Sequence, residues 1–114
     1  MRHRNKRHLR GVRDRRRKEL RALAVALLLR ERIETTHARA RISRSFSEKL
    51  ITKGKTPGLI ALRALNRDLP INAVKKVLEV LGPRYTSLVG GYTRILHAGT
   101  YKDGTMKVIL ELVK

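Results

Sequence analysis

The sequence predicts an α+β fold in which four helices pack on a small C-terminal β-hairpin sheet, preceded by an extended basic N-terminal arm. Three observations lead to this fold. Apolar residues recur with a helical period from residue 20 to residue 81, they alternate with polar residues after Pro83, and ten of the first 18 residues are Lys or Arg. A chain of 114 residues has the length of one domain. We therefore divide it into an arm, residues 1–18, and a single globular domain, residues 19–114.

The arm carries much of a strongly one-sided charge. The chain has 28 Lys and Arg against nine Asp and Glu, a formal net charge of +19, and ten of these cations precede residue 19. The arm has too few apolar residues to offset its own ordering entropy, so we expect it to be disordered when free and to fold on a polyanion. The alternative is a solvated tail. We assign to RNA contact in the arm Arg2, His3, Arg4, Lys6, Arg7, His8, Arg10, Arg13, Arg15, Arg16, Arg17 and Lys18.

The first two helices are predicted from apolar stripes and their flanking caps. Asp14 can cap the first helix, and Thr36 can cap the second. Gly54 suits the position that follows the end of helix two. Between the two helices, the β-branched segment that begins at Ile33 is the candidate for a third strand of the sheet.

Proline residues mark the next two helices. Thr56 and Pro57 form a cap followed by proline at the first helical position of helix three, and Pro70 opens helix four in the same manner. Gly82 and Pro83 are expected to end helix four.

The C-terminal third of the chain predicts a hairpin. Residues 92–97 read as one strand, and residues 106–112 alternate so that one face of a second strand is clearly apolar. Asp103 and Gly104 form a favourable turn pair between them. Because an isolated hairpin is only marginally stable, this one must pack on the helices.

The sequence contains no recognisable catalytic constellation. Cysteine is absent, which excludes disulfide scaffolds, zinc ribbons and thiol catalysis. The carboxylates and histidines are scattered, and no glycine-rich phosphate loop is followed by Lys-Ser or Lys-Thr. The longest apolar run, residues 22–29, is far shorter than the roughly 20 residues that a membrane helix needs. We therefore predict no enzymatic activity, no metal, no cofactor, no small-molecule substrate and no membrane partner, in an intracellular protein.

Helix two carries a second basic feature. Arg39, Arg41 and Arg44 are assigned to RNA contact, and Lys49 and Lys53 share a face of the same helix. The alternative is an ordinary solvated helix face. Because the helix lies next to the arm in the sequence, we interpret its cations as a continuation of the surface that binds a polyanion.

The stretch from residue 81 to residue 96 is hard to explain by folding alone. Two adjacent glycines precede a strand and leave backbone N–H groups unshielded, which permits the close approach of a phosphate. Arginines supply charge on both sides, and two tyrosines supply flat surface. The alternative is a glycine turn with Tyr92 in the core. We assign to RNA contact Arg84, Tyr85, Gly90, Gly91, Tyr92 and Arg94.

The motifs resemble those of one family. The chain is similar, over essentially all 114 residues, to the bacterial large-subunit ribosomal protein numbered seventeen. The likeness rests on Met1-Arg2-His3-Arg4, Thr35-Thr36, Leu81-Gly82-Pro83-Arg84-Tyr85, Gly90-Gly91-Tyr92-Thr93-Arg94-Ile95-Leu96 and Ile109-Leu110-Glu111-Leu112-Val113. This resemblance implies a cytoplasmic, non-enzymatic structural constituent of the bacterial 50S subunit. Such a constituent binds and stabilises 23S ribosomal RNA near the polypeptide exit, beside neighbouring large-subunit ribosomal proteins.

Composition and patterning by themselves leave a second interpretation open. A free-standing nucleic-acid-binding protein, such as a nucleoid or regulatory factor, would carry a similar excess of positive charge. A membrane-active cationic protein fits less well, because the arm lacks an apolar face to insert.

Overall fold

The computed structural model describes residues 13–56 and 58–113 and confirms the predicted α+β fold. Within these residues the chain forms four helical runs and one three-stranded sheet. The fourth run is composite, because a π-helical segment joins two α-helical pieces. The elements are α1 (Arg13–Arg30), β1 (Arg32–Thr36), α2 (His37–Gly54), α3 (Leu59–Asp68), α4 (Ile71–Lys76), the π-helical segment (Val77–Leu81), α5 (Gly82–Arg84), β2 (Thr93–Thr100) and β3 (Met106–Leu112).

The sheet is antiparallel in the order β1-β3-β2, with the C-terminal strand in the centre. The predicted third strand near Ile33 is β1, and Leu110 of β3 pairs with Ile33 on one side and with Ile95 of β2 on the other. β2 runs past its predicted end at His97, through an irregularity in register between His97 and Gly99.

One face of the sheet packs on the helices, as a hairpin without independent stability requires. The core is a single cluster of buried side chains, and helices, connecting segments and strands all contribute residues to it. Its largest fully buried side chains are Tyr85, Tyr92, Leu27, Leu28, Leu50, Ile51, Leu65, Leu81, Leu110, Val74, Val77 and Val108.

The start of α1 differs from the prediction. Residue 13 is already helical, so Asp14 lies within the helix and does not precede it as a cap. Arg and Lys are good helix formers, which allows the helix to extend into the basic segment. Residues 13–18 of the predicted arm therefore form the first turns of α1, and residues 1–12 lie outside the described residues.

The two ends of α2 show one correct and one wrong prediction. The Thr36 hydroxyl accepts a hydrogen bond from the Arg39 amide at 3.3 Å, so Thr36 is the predicted cap. Gly54 does not follow the helix but is its buried last residue. A Cβ atom at Gly54 would clash with Cγ1 of Val77, so the glycine allows α2 to approach the π-helical segment closely.

The boundaries of the later helices also shift. α3 begins at Leu59 with Gly58 as its N-cap, two residues beyond the predicted start at Pro57, which lies outside the described residues. Pro70 is the N-cap of α4 rather than its first helical residue.

Gly82 and Pro83 do not end the fourth helical run, which continues to Arg84. The Gly82 amide donates to the carbonyl of Val77, five residues earlier, and this π-type bond closes the wider turn. Pro83 then occupies the first turn of α5, directly after the wider turn of the π-helical segment.

Candidate nucleic-acid interface

One exposed side of α2 carries three cations that no described carboxylate neutralises. Arg41, Lys49 and Lys53 are exposed, with the exposed Ser45 between them, and the four residues follow one another at steps of four. Steps of four keep the residues on one side of a helix, and a rise of 1.5 Å per residue spreads them over about 18 Å. Among the described residues none of the three cations forms an ion pair. These four residues are named the cationic stripe.

The other predicted cations of α2 are engaged by carboxylates. Arg39 Nε lies 2.8 Å from Oε1 of Glu19, and Arg44 Nε lies 3.8 Å from Oε2 of Glu48. Both arginines remain partly exposed, and surface pairs of this kind are weak. A polyanion therefore meets the stripe directly, whereas it must compete with a carboxylate for Arg39 and Arg44.

The basic start of α1 lies beside the Arg41 end of the stripe. The Glu19–Arg39 pair joins α1 to the first turn of α2, and Leu20 lines a shallow groove together with Arg41 and Ser45. Arg15, Arg17 and Lys18 are exposed on the turn before this contact. The structure thus brings the last part of the predicted arm next to the stripe. The remaining arm assignments, residues 2–10, lie outside the described residues.

The glycine loop, residues 86–91, lies at the Lys53 end of the stripe. Gly90 and Tyr92 line a shallow hollow together with Lys49 and Lys53. Both glycines of the loop are exposed, and a Cβ atom built on either would meet no other group within 4 Å. Their backbone is open to solvent, as the sequence predicted.

Tyr85 and Tyr92 do not offer the exposed flat surface that the sequence predicts for them. Tyr85 is 1% and Tyr92 0% exposed, and their ring centroids lie 5.1 Å apart in the core. This arrangement is the alternative in which Tyr92 packs inside the fold. Both rings turn inward because they complete the apolar contact between α2, α5 and the sheet, where large aromatic surfaces are best buried.

The Tyr92 hydroxyl instead fixes the glycine loop to the end of α2. It lies 3.1 Å from the Thr52 hydroxyl, accepts from Lys55 Nζ at 3.0 Å and donates to the Val89 carbonyl at 3.2 Å. Lys55 also donates to the carbonyl of Leu88. Lys55 is therefore a structural cation, and Tyr92 positions the loop without facing solvent.

Arg84 and Arg94, both predicted RNA contacts, are each held by a carboxylate that the sequence analysis did not single out. Arg84 binds Glu31, and this contact raises the pKa of Arg84. Arg94 Nε lies 2.6 Å from Oε1 of Glu111, which also faces Arg32 at 3.7 Å. Arg94 is 60% exposed on the outer face of the sheet and still presents its guanidinium to solvent.

Carboxylates were the missed signal in this chain. Six of them, namely Glu19, Glu31, Glu34, Glu48, Asp68 and Glu111, form ion pairs within the described part of the chain. Because cations outnumber carboxylates threefold in the sequence, the six paired carboxylates, which each engage one or two cations, show where the remaining charge stays unneutralised.

Two features are absent from residues 13–56 and 58–113. No group of three or more potential metal ligands converges there. In the same part of the chain, no helix has both the length and the apolar character needed to cross a membrane.

These features define a class, the small, strongly basic α+β proteins that present unneutralised cations on a helix face. Residues 19–113 match the family described as Ribosomal protein L17. The chain is 47% identical over 96 residues to the large ribosomal subunit protein bL17 of Endomicrobium trichonymphae, which covers 82% of each chain. It is 45% identical over 112 residues to the protein of the same name from Staphylococcus aureus strain JH9, covering 88% of this chain and 92% of that one. The chain belongs to the ribosomal protein L17 family.

Family membership confirms the resemblance drawn from the motifs. It gives the chain a structural role in the ribosome and confirms the prediction that it is not an enzyme.

Proposed function

We propose that this protein is a structural constituent of the bacterial 50S subunit that binds and stabilises 23S ribosomal RNA near the polypeptide exit. The cationic stripe carries this proposal, because three exposed cations without an acidic partner repel one another unless a polyanion lies over them. The names of the relatives, which are large ribosomal subunit proteins, support the choice of particle over a free-standing nucleic-acid-binding protein. The location near the exit rests on the motif resemblance.

The stripe suits the sugar–phosphate backbone better than the bases. Two of its three cations are lysines, which act as compact point charges, and Ser45 adds a hydroxyl that can bond a phosphate oxygen. With Tyr85 and Tyr92 buried, neither of these rings is available for base stacking. We expect recognition of folded RNA by shape and phosphate position, as in the binding of RNA helices.

The arm and the glycine loop extend the same surface in this proposal. Leu20, in the turn after residues 15–18, lines a groove with Arg41, and Gly90 lines a hollow with Lys53. RNA that follows the stripe would therefore meet the start of α1 at one end and the glycine loop at the other. Residues 1–12 then continue the contact along the RNA grooves. Arg94, on the outer face of the sheet, would reach a separate part of the RNA.

A salt titration of RNA binding tests the stripe. The variant Arg41→Gln/Lys49→Gln/Lys53→Gln is compared with Arg63→Gln/Arg67→Gln/Lys75→Gln. The comparison variant removes the same charge from exposed positions of α3 and α4 that pair with no described carboxylate. Each phosphate contact contributes roughly 0.7 to 0.9 to the log–log salt slope, so the stripe variant should flatten it by about 2 to 3 units. Equal losses in both variants would mean that the stripe is ordinary charged surface.

Assembled particles test the rest of the proposal. The native chain should co-sediment with large subunits up to high salt, and electron cryomicroscopy should place it beside the polypeptide exit. A chain that sediments free of the particle would favour the nucleoid or regulatory alternative. A position far from the exit would contradict the location while leaving the RNA contact intact.

A further inference from the structure

The outer side of α3 presents an apolar groove to solvent. Ile60 is 85% and Leu59 is 60% exposed, although both are large aliphatic side chains. The groove that they form is lined almost entirely by apolar atoms, and its residues are Lys53, Thr56, Gly58, Leu59, Ile60, Ala61 and Ala64. Contiguous exposed apolar surface of this kind is unfavourable in water and commonly marks a site of protein–protein contact.

Cations flank the groove. Along α3, Ile60, Arg63, Ala64 and Arg67 follow one another at helical spacing, so two apolar residues and two arginines share the outward side. Arg63 and Arg67 are exposed, and neither forms an ion pair with a described residue. Lys53 lines the groove itself, so the apolar surface has one cation within it and two more beside it along α3, none of them paired with a described carboxylate.

We propose that this groove binds a short amphipathic segment of another protein, with aliphatic or aromatic side chains on one face and carboxylates beside them. The apolar side chains would cover Ile60 and Leu59, and the carboxylates would neutralise Arg63, Arg67 and Lys53. This is the helix-in-groove mode of recognition, in which a few apolar anchors supply affinity and flanking charges fix orientation.

The charges argue against the other occupants of an apolar groove. In a two-fold dimer the same patch faces itself, which would set Arg63 and Arg67 against their own copies. RNA would neutralise these arginines, but its polar backbone would leave Ile60 against solvent or phosphate, and the groove offers no aromatic ring on which a base could stack. An acidic amphipathic segment satisfies both features at once.

The groove is separate from the proposed RNA contact. It shares only Lys53 with the cationic stripe, and its apolar residues lie on α3 rather than α2. The docking of a protein segment at Ile60 therefore does not depend on whether RNA covers the stripe, and the variants below leave the stripe unchanged.

Photocrosslinking in intact large subunits tests the proposal. The photoreactive residue p-benzoylphenylalanine replaces Ile60 in the full chain and, as a matched control, Ile71, which is 63% exposed but outside the groove. Mass spectrometry should identify, for position 60 alone, a crosslinked peptide of another protein that contains apolar residues next to Asp or Glu. A crosslink to RNA or to a second copy of this chain, or a yield no higher than at position 71, would overturn the proposal.

A binding measurement with the crosslinked peptide completes the test. The synthetic peptide should bind the isolated full chain, and Ile60→Ser or Arg63→Gln/Arg67→Gln should each weaken binding about tenfold or more, as expected for anchors at an interface. The same peptide with its carboxylates replaced by amides should lose a similar factor. Binding that is indifferent to these changes would refute the assignment, and an unchanged salt slope of RNA binding in Ile60→Ser would show that the two surfaces act independently.

Discussion

Arg84 donates two hydrogen bonds to the carboxylate of Glu31, at 2.6 Å to Oε1 and 3.2 Å to Oε2. Lys76 donates a third, at 2.7 Å to Oε2. Glu31 itself has a φ of +65°, a left-handed conformation that is uncommon for a residue other than glycine, in the turn between α1 and β1. The ion cluster thus holds a strained turn against α4 and α5. Arg84, which the sequence predicts as an RNA contact, therefore has a structural role.

The Glu31 cluster predicts a specific loss of stability in acid. Hydrogen bonds from Arg84 and then Lys76 lower the pKa of Glu31 from 4.5 to about 2 in the folded chain. A carboxyl group whose pKa is lowered by folding stabilises the fold above its unfolded pKa, and this contribution is lost as the pH falls from about 5 to about 2. Since solvent partly screens the group, we expect a loss of about 1–2 kcal/mol in the free energy of unfolding from Glu31 alone.

Urea unfolding between pH 2 and pH 7 measures this contribution. Glu31→Gln should be less stable than the native chain at pH 7, and the two curves should converge towards pH 2. Glu79→Gln, at an exposed position without an ion pair in the described structure, is the control and should follow the native curve. A constant offset between Glu31→Gln and the native chain at all pH values would contradict the assigned pKa.

Local signals were sufficient for most of the fold. β1, the Thr36 cap and β3 depend on residues within a few positions of one another, and each was predictable from its own segment. The role of Gly54 was not, because it depends on Val77, which reaches it only through tertiary packing. The π-helical segment was hidden for a similar reason: its apolar spacing is that of an ordinary helix.

The candidate site was predictable only as a region. Sequence position identifies cations but not their partners, and the partners decide which cations are free. Arg84 meets Glu31 across 53 residues of chain, and Arg94 meets Glu111 across 17. Tyr92 lies beside exposed glycines in sequence, yet its ring is drawn into the core.

Tyr92→Phe should loosen the glycine loop while leaving the core packed. The substitution keeps the buried ring but removes the hydroxyl that contacts Thr52, Lys55 and Val89. We expect a loss of about 1–2 kcal/mol in stability, as for a buried hydroxyl with several partners, and faster amide exchange in residues 86–91. Tyr101→Phe is the matched control, since the Tyr101 hydroxyl bonds no described residue. Equal exchange rates in the loop of both variants would contradict this role of Tyr92.

Ser47→Ala should stabilise the protein. The Ser47 hydroxyl is fully buried in α2 and has no hydrogen-bond partner among the described residues. Its removal should raise the free energy of unfolding by about 1 kcal/mol, because an unpaired buried polar group costs desolvation energy. Ser43→Ala provides the comparison, because the Ser43 hydroxyl donates to the Arg39 carbonyl at 2.9 Å. Since this substitution removes a hydrogen bond, it should not stabilise the protein. A lower melting temperature for Ser47→Ala would show that the hydroxyl is bonded.

The two glycines of the loop should respond differently to valine. Gly91 has a φ of +71°, so Gly91→Val introduces backbone strain that lowers stability by about 1–2 kcal/mol whatever it does to RNA binding. Gly90 lies in open space and has no such φ, so Gly90→Val should keep the native melting temperature. If a phosphate approaches this backbone, Gly90→Val should nevertheless weaken RNA binding. Unchanged affinity in the folded Gly90→Val protein would favour a simple turn.

The arm gives the last prediction, because α1 as described includes its residues 13–18. Removal of residues 1–12 deletes five Lys and Arg but none of the described residues of α1, and the buried core of the described chain begins only at Ala24. Circular dichroism and the melting temperature should therefore stay nearly unchanged. The salt slope of RNA binding should flatten by about 2 to 4 units if about half to all of the five cations meet phosphates. Removal of residues 1–18 should flatten the slope further at a small cost in stability, since it also removes residues 13–18 of α1. A solvated tail would leave the slope as it was, whereas a body that unfolds without residues 1–12 would show that the globular domain extends into the arm.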